Sequence, residues 1–232
     1  MIDGEFIRKF SLSMHKNMRI KLGEMNFFKN FTVTNRGDLY PVIEKSVDAK
    51  EVIENNRYLL KGGKVERVFA SFFPYATYRV NAEGEGEVGF VFHIATATAT
   101  VMREKTIIRL VCGGKEQEVA IPTALKDEKT LVVTCRPKFF DFYIEKNGFA
   151  VFIGSATCED FNASHKYDNF KTGFVSLCLC GNMTVSEVEA CIDNGIGFAD
   201  VRPVRYENGE VMVEQGKVYI SGSVRGQAGE YQ

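Results

Sequence analysis

Hydrophobic and polar residues alternate with a period of two through most of this chain, and that period belongs to strands rather than helices. Val88, Phe90, Phe92 and Ile94 share one strand face, with Gly89, Val91 and His93 on the other. Phe140, Phe142 and Ile144 repeat the pattern, Asn147-Gly148 interrupts it, and Phe149, Val151 and Ile153 resume it. Asn-Gly readily takes the positive φ angles of a type I′ turn, so 139–153 is predicted as a hairpin. Gly113-Gly114 gives a similar signal between 106–112 and 115–121. Further strands are expected at 69–73, 76–81, 130–135 and 173–180, and at 184–190 after a Gly181-Asn182 turn. Helical signal is confined to 46–56, where Ser46 or Asp48 stands as a cap for one short turn around Val52-Ile53. Many short strands broken by Gly and Asn turns predict an all-β, antiparallel sandwich or barrel.

The composition agrees. Apolar residues make up 45% of the 232, enough for a sizeable core, and 19 Phe suggest that rings build it. A net charge of −1 without like-charge runs excludes a nucleic-acid surface and a polybasic membrane patch. No apolar stretch approaches the ~20 residues that cross a bilayer. Met1-Ile2-Asp3-Gly4-Glu5 has neither the basic nor the apolar run of a secretory leader, so a cytoplasmic protein is expected unless the true start lies upstream. The six Cys, at 112, 135, 158, 178, 180 and 191, follow no C-x-x-C spacing and are expected as free, mostly buried thiols.

Candidate chemistry is sparse. Glu83-Gly84-Glu85-Gly86-Glu87 reads as a solvated turn whose carboxylates offer at most a structural Ca²⁺ site; otherwise no cofactor or metal is expected. The segment 159–169 is the richest polar loop, and its Asp, Asn and aromatic residues suit sugar recognition. Tyr167 and Asp168 are its candidate carbohydrate-binding residues; the lack of Trp removes the strongest stacking platform. Cys178 and Cys180 share a strand face as core packing. Asp193-Asn194-Gly195-Ile196-Gly197 breaks the pattern, dividing 1–192 from a second element at 193–232.

Three stretches carry a resemblance to the concanavalin A-like lectin/glucanase jelly-roll sandwich. They are Ser71–Val80 with the acidic glycine turn and Gly89–His93, then Phe142–Gly148, then Phe170–Leu177 with Met183–Val188. After the break, Ala199-Asp200-Val201-Arg202-Pro203-Val204, Asn208-Gly209-Glu210 and Gly216–Ser221 resemble the first blade of a five-bladed propeller glycoside hydrolase of the arabinanase/xylosidase type. In that family an Asp opening the first blade faces the central pocket, and Asp200 is the matching position; Pro follows it three residues later rather than directly. The resemblance implies a carbohydrate-associated accessory sandwich, bracing or shaping the cleft of a following propeller, with an oligo- or polysaccharide and that C-terminal catalytic domain as partners. Asp200 is catalytic only if the chain continues into the propeller, because 193–232 suffices for one blade. A stand-alone lectin-like or protein-interaction module is the alternative. The paired E-x-D-x-x-E carboxylates of a sandwich glucanase are absent, so this chain by itself is expected to be inactive.

Overall fold

The computed structural model describes residues 5–9, 17–21, 32–33, 42–55, 57–191 and 198–224. The chain divides into two compact units, residues 30–192 and residues 1–29 with 193–232. In the smaller one, β1 (Glu5–Lys9) and β2 (Asn17–Lys21) pair antiparallel.

The larger unit begins with β3 (Thr32–Val33), β4 (Val42–Lys45), β5 (Lys50–Glu54), β6 (Arg57–Lys61) and β7 (Lys64–Ser71). It continues with β8 (Thr77–Ile94), β9 (Ala97–Arg103), β10 (Ile107–Cys112), β11 (Lys115–Ala120) and β12 (Thr130–Arg136). β13 (Phe139–Lys146), β14 (Phe149–Thr157), the single-turn α1 (Tyr167–Phe170) and β15 (Phe174–Cys191) complete it. Hydrogen bonds join all 13 strands, and the sheet folds into two leaves that share β8 and β15. These two lie antiparallel along their whole length, from Phe174 opposite His93 to Cys191 opposite Thr77. The far edge of β8 pairs first with β12 and then with β9. The far edge of β15 pairs with β7 and then with β6. One leaf therefore runs β5-β6-β15-β8-β12-β13-β14, the other β4-β7-β15-β8-β9-β10-β11.

The passage from leaf to leaf is where the sequence was misleading. Glu83–Glu87 is not a turn but the middle of β8, and Gly181-Asn182 is the middle of β15. The two segments face each other in register, Gly86 opposite Gly181 and Gly84 opposite Met183. Gly84 takes φ +140° and Gly181 φ +84°, and a Cβ on Gly86 would overlap the carbonyl oxygen of Cys180. Glycine thus serves here to bend two paired strands at close approach, which a sequence shares with a chain reversal.

The inward faces enclose one core in which seven phenylalanines, at 69, 72, 90, 92, 140, 142 and 161, are fully buried. Phe92 on one leaf meets Phe140 on the other with ring centroids 5.1 Å apart, edge to face. Each such ring removed from water contributes about 1.5–3 kcal/mol. The outer edges of the leaves also meet: Thr157 N donates to Gln117 Oε1 at 3.1 Å, between β14 and β11. Beside that contact Cys112 and Cys158 form a disulfide, their Cα atoms 5.9 Å apart. The expectation of free thiols is corrected for this pair, which only the meeting of the two edges brings together; Cys135, Cys178 and Cys180 are free.

Other expectations fare unevenly. The Asn147-Gly148 turn has both φ positive, 53° and 79°, as a type I′ turn requires. The helix anticipated at 46–56 is instead β5, paired with β6 so that Val52 lies opposite Leu59. Its β-branched Val-Ile pair suits a strand better than a helix. β9 was not anticipated, because its Ala/Thr alternation carries little hydrophobic contrast.

The chain's last described stretch contains β16 (Phe198–Pro203), β17 (Val213–Glu214), β18 (Lys217–Val218) and β19 (Ile220–Val224). β16 pairs with β19 and β17 with β18, and among the described residues none of the four joins the 13-stranded sheet. No helix among the described residues is long and apolar enough to cross a membrane.

Two measurements check this account. Gly86→Ala, which forces the Cys180 carbonyl away, lowers stability by about 1–3 kcal/mol in urea unfolding. Opening the 46-residue loop closed by Cys112–Cys158 with a reductant lowers it by about 2–4 kcal/mol; equal unfolding midpoints with and without reductant would show that the link does not constrain the unfolded chain.

Candidate functional site

The segment between β14 and β15 is held from below. A 3₁₀ turn at Glu159–Phe161 drops Phe161 into the core against Phe140 and Phe72, at 5.2 and 6.0 Å. Asn169 Nδ2 donates to Ala163 O at 2.7 Å, and Ala95 N donates to Asn169 O at 2.9 Å. These bonds fix α1, on which Tyr167 and Asp168 stand side by side. Tyr167 is 69% exposed, with Phe170 edge-on at 5.6 Å and Lys171 Nζ 5.8 Å from the ring centroid. Lys171 Nζ also donates to Asp168 Oδ1 at 2.8 Å and holds that carboxyl below its usual range. The arrangement is an apolar ring next to a polar pair on a pinned loop. Within the same loop Ser164 Oγ and His165 Nδ1 are buried without a hydrogen-bond partner among the described residues.

Asp200 lies on β16, in the other unit. Its side chain is outside what is described, as is that of Cys191. Glu83 is engaged by Lys129 and, at 3.6 Å, by Arg57. Among the described residues, three metal-ligating atoms come together at Cys112, Cys158 and Asp160, within 4.8 Å of one another.

Two polar networks that periodicity could not reveal occupy the outward faces of the leaves. On the first leaf, register aligns Glu189, Arg79, Val132, Tyr143 and Phe152 in one row across β15, β8, β12, β13 and β14. Arg79, 7% exposed, donates from Nε to Glu145 at 2.8 Å, and from Nη1 to Glu187 at 2.7 Å and Glu189 at 3.1 Å. Burial alone would weaken its charge, but Glu145 and Glu187 outweigh that and keep it firmly protonated. Burial pushes the Glu189 carboxyl above its ordinary range; Arg79 pulls it back, while Glu187 and Glu145 push it further up. Next to this cluster, Arg136 Nη2 donates to Asp141 Oδ1 at 2.9 Å, and Ser155 Oγ donates to the same oxygen at 2.5 Å. At the end of the row Phe152 is 57% exposed, three strand spacings or about 14 Å from Arg79.

On the second leaf His93 Nε2 lies 2.9 Å from Glu66 Oε1, and its ring stacks on Phe174 with centroids 4.3 Å apart. Burial raises the Glu66 carboxyl, and the bond from His93, aided by Lys64, outweighs this and leaves it lowered. Residues from β7, β8 and β15 thus meet through pairing of strands far apart in sequence, and the one sequence signal was an isolated His on a strand face.

No protein-family model matches the chain, and no curated protein matches its sequence. Among solved structures, the chain is similar to the carbohydrate-binding module CBM66 from Bacillus subtilis, at 11% identity over 66% of this chain and 96% of that one, with a TM-score of 0.44. It is similar to the TRIM65 PSpry domain at 6% identity over 69% of this chain and 92% of that one, with a TM-score of 0.46. It also has a likeness to a xylan β-1,4-xylosidase from Bacillus halodurans at 12% identity, covering 59% of this chain and 33% of that one, with a TM-score of 0.42.

The Arg79 cluster makes a directional prediction. Arg79→Met leaves buried carboxylates facing one another and costs about 3 kcal/mol at neutral pH. Glu189 has a raised carboxyl pKa, so its favourable contribution is present in acid and is lost as pH rises through its folded value. Glu189→Gln therefore costs less at pH 7 than at pH 4 in denaturant unfolding; a larger cost at pH 7 would contradict the raised pKa.

Proposed function

We propose that this chain is a carbohydrate-associated β-sandwich that works beside a glycoside hydrolase domain, and that it meets saccharide through the loop carrying Tyr167 and Asp168. The observation that carries the reading is the Tyr167 ring, 69% exposed on a loop that Phe161 and Asn169 pin to the sandwich. Saccharide recognition calls for an apolar platform for the C–H face of the sugar and polar groups at its rim for the hydroxyls. Tyr167 supplies the first, and Asp168 with Lys171 supplies both an acceptor and a donor. A loop held in place before binding loses little entropy when the ligand arrives.

The link to a hydrolase rests on the smaller unit. Among the described residues, its strands β16 to β19 pair among themselves and not with the sandwich, which supports a second element starting near residue 193 rather than a tail completing the first sheet. In this reading that element opens a propeller, and Asp200 on β16 serves as its first pocket carboxylate, provided the chain continues. The exposed aromatic rings at Phe152 and Tyr167 also favour a second reading, a stand-alone lectin-like or protein-interaction module.

Affinity electrophoresis of the purified chain through gels holding arabinan, xylan or related polysaccharides tests the binding role. Retardation by at least one polysaccharide is expected, with Tyr167→Ala weakening it about tenfold, or ~1.4 kcal/mol, while leaving the unfolding midpoint unchanged. Unretarded migration in every gel would remove the saccharide-binding role and leave the interaction module. Retardation that survives Tyr167→Ala would move the site off this loop.

A further inference from the structure

Where the edges of the two leaves meet, two cysteines at the rim of the core stand beside an exposed carboxylate. Cys112 closes β10, Cys158 follows β14, and Asp160 sits in the first turn beyond it. Their two sulfurs and one carboxylate oxygen lie within 4.8 Å of one another. Both cysteines are buried, at 6% and 3% exposure, whereas Asp160 faces solvent. Asp160 has no ion-pair partner among the described residues, unlike neighbouring Glu159, which pairs with Lys138 at 2.8 Å. Gly113, with φ +56°, leaves the space over the β10–β11 turn that the Asp160 carboxylate fills, and a Cβ there would overlap it.

We propose that the reduced chain binds one thiophilic divalent cation, zinc by its chemistry, through Cys112 Sγ, Cys158 Sγ and a carboxylate oxygen of Asp160, and that closing the disulfide expels it. Zinc prefers thiolate sulfur at about 2.3 Å and carboxylate oxygen at about 2.0–2.2 Å in a tetrahedron. Two thiolates on one zinc then stand about 3.7 Å apart, a separation that side-chain rotation reaches from Cα atoms 5.9 Å apart. Three protein ligands leave a fourth position, which water fills from the side where Asp160 is exposed. Three negative ligands offset the dipositive ion, and each thiol releases its proton to solvent on binding. Loss of the ion follows oxidation by a low-molecular-weight disulfide. The metal-bound dithiolate forms its internal S–S bond and releases the ion, the two electrons cleave the oxidant's S–S bond, and the two small thiolates that leave take up two protons from solvent. The link between the leaves is thus a cation bridge in a reducing compartment and a covalent bridge in an oxidising one.

Cobalt(II), which reports thiolate ligation optically, tests this with the full chain after reduction and removal of the reductant. Titration is expected to give a thiolate-to-cobalt charge-transfer band saturating at one ion per chain, displaced by zinc and absent from the oxidised chain. Cys112→Ser abolishes the band. Asp160→Asn, an exposed position that leaves the fold untouched, weakens binding roughly tenfold or more, since even outer partners of metal ligands cost about 10–100-fold. The Cys178→Ser/Cys180→Ser double variant keeps the band, excluding those two thiols as its source. The proposal is overturned by a reduced chain without the band, by an oxidised chain with it, by Asp160→Asn or Cys112→Ser binding as tightly as the parent, or by the double variant losing it.

Discussion

The pairing of β8 with β15 is the constraint on which the sandwich depends. Two strands of 18 residues each stay hydrogen-bonded to one another while crossing from one leaf to the other. A strand pair that long, left flat, would present both its faces to a single sheet and leave no second layer to cover the core. The bend at Gly84, Gly86 and Gly181 lets the inner face of the pair close on itself, so that Tyr78 and Val80 at one end and Phe90 and Phe92 at the other enter the same core. Every other strand of the large unit attaches directly or in turn to an edge of this pair.

The cost of this architecture is borne on the outward faces. Strands in the centre of each leaf have neighbours on both edges, so even their outward side chains lie between those of adjacent strands. Arg79 on β8 and Glu66 on β7 are both under 10% exposed for this reason. Charges in such places are retained only with partners, and each has them: three carboxylates around Arg79, and His93 and nearby Lys64 around Glu66. Burial, reinforced by Glu187 and Glu145 and only partly offset by Arg79, is why Glu189 holds its proton more tightly than an ordinary glutamate. These networks are satisfied internally, which makes them supports of the sheet; the groups that remain open to a ligand are on the loops and the edges.

The loop between β14 and β15 shows how the scaffold lends rigidity to a surface group. Phe161 is inserted where the two leaves' aromatic rings meet, and the disulfide at Cys158 ties the loop's start to the end of β10. Tyr167 and Asp168 therefore stand on an anchored turn although both face solvent. The same junction of leaf edges collects Cys112, Cys158 and Asp160, so the loop proposed to meet saccharide and the proposed cation site draw on one anchoring point.

The sequence alone determined that this chain is β, antiparallel, built around phenylalanine, and changed in pattern near residue 193, because strand alternation and type I′ turns are local properties written in consecutive residues. It also singled out Tyr167 and Asp168, since a polar loop with an aromatic residue is visible as composition. It could not distinguish a bend from a turn at Glu83–Glu87 and Gly181-Asn182, because glycine permits both, and the choice belongs to the strand lying opposite. Nor could it show the Arg79 carboxylates, the His93–Glu66 contact or the Cys112–Cys158 link, whose members are 27 to 110 positions apart. Those associations exist only after register is set. Register is a property of pairs of strands, decided when the core rings of both leaves are buried together.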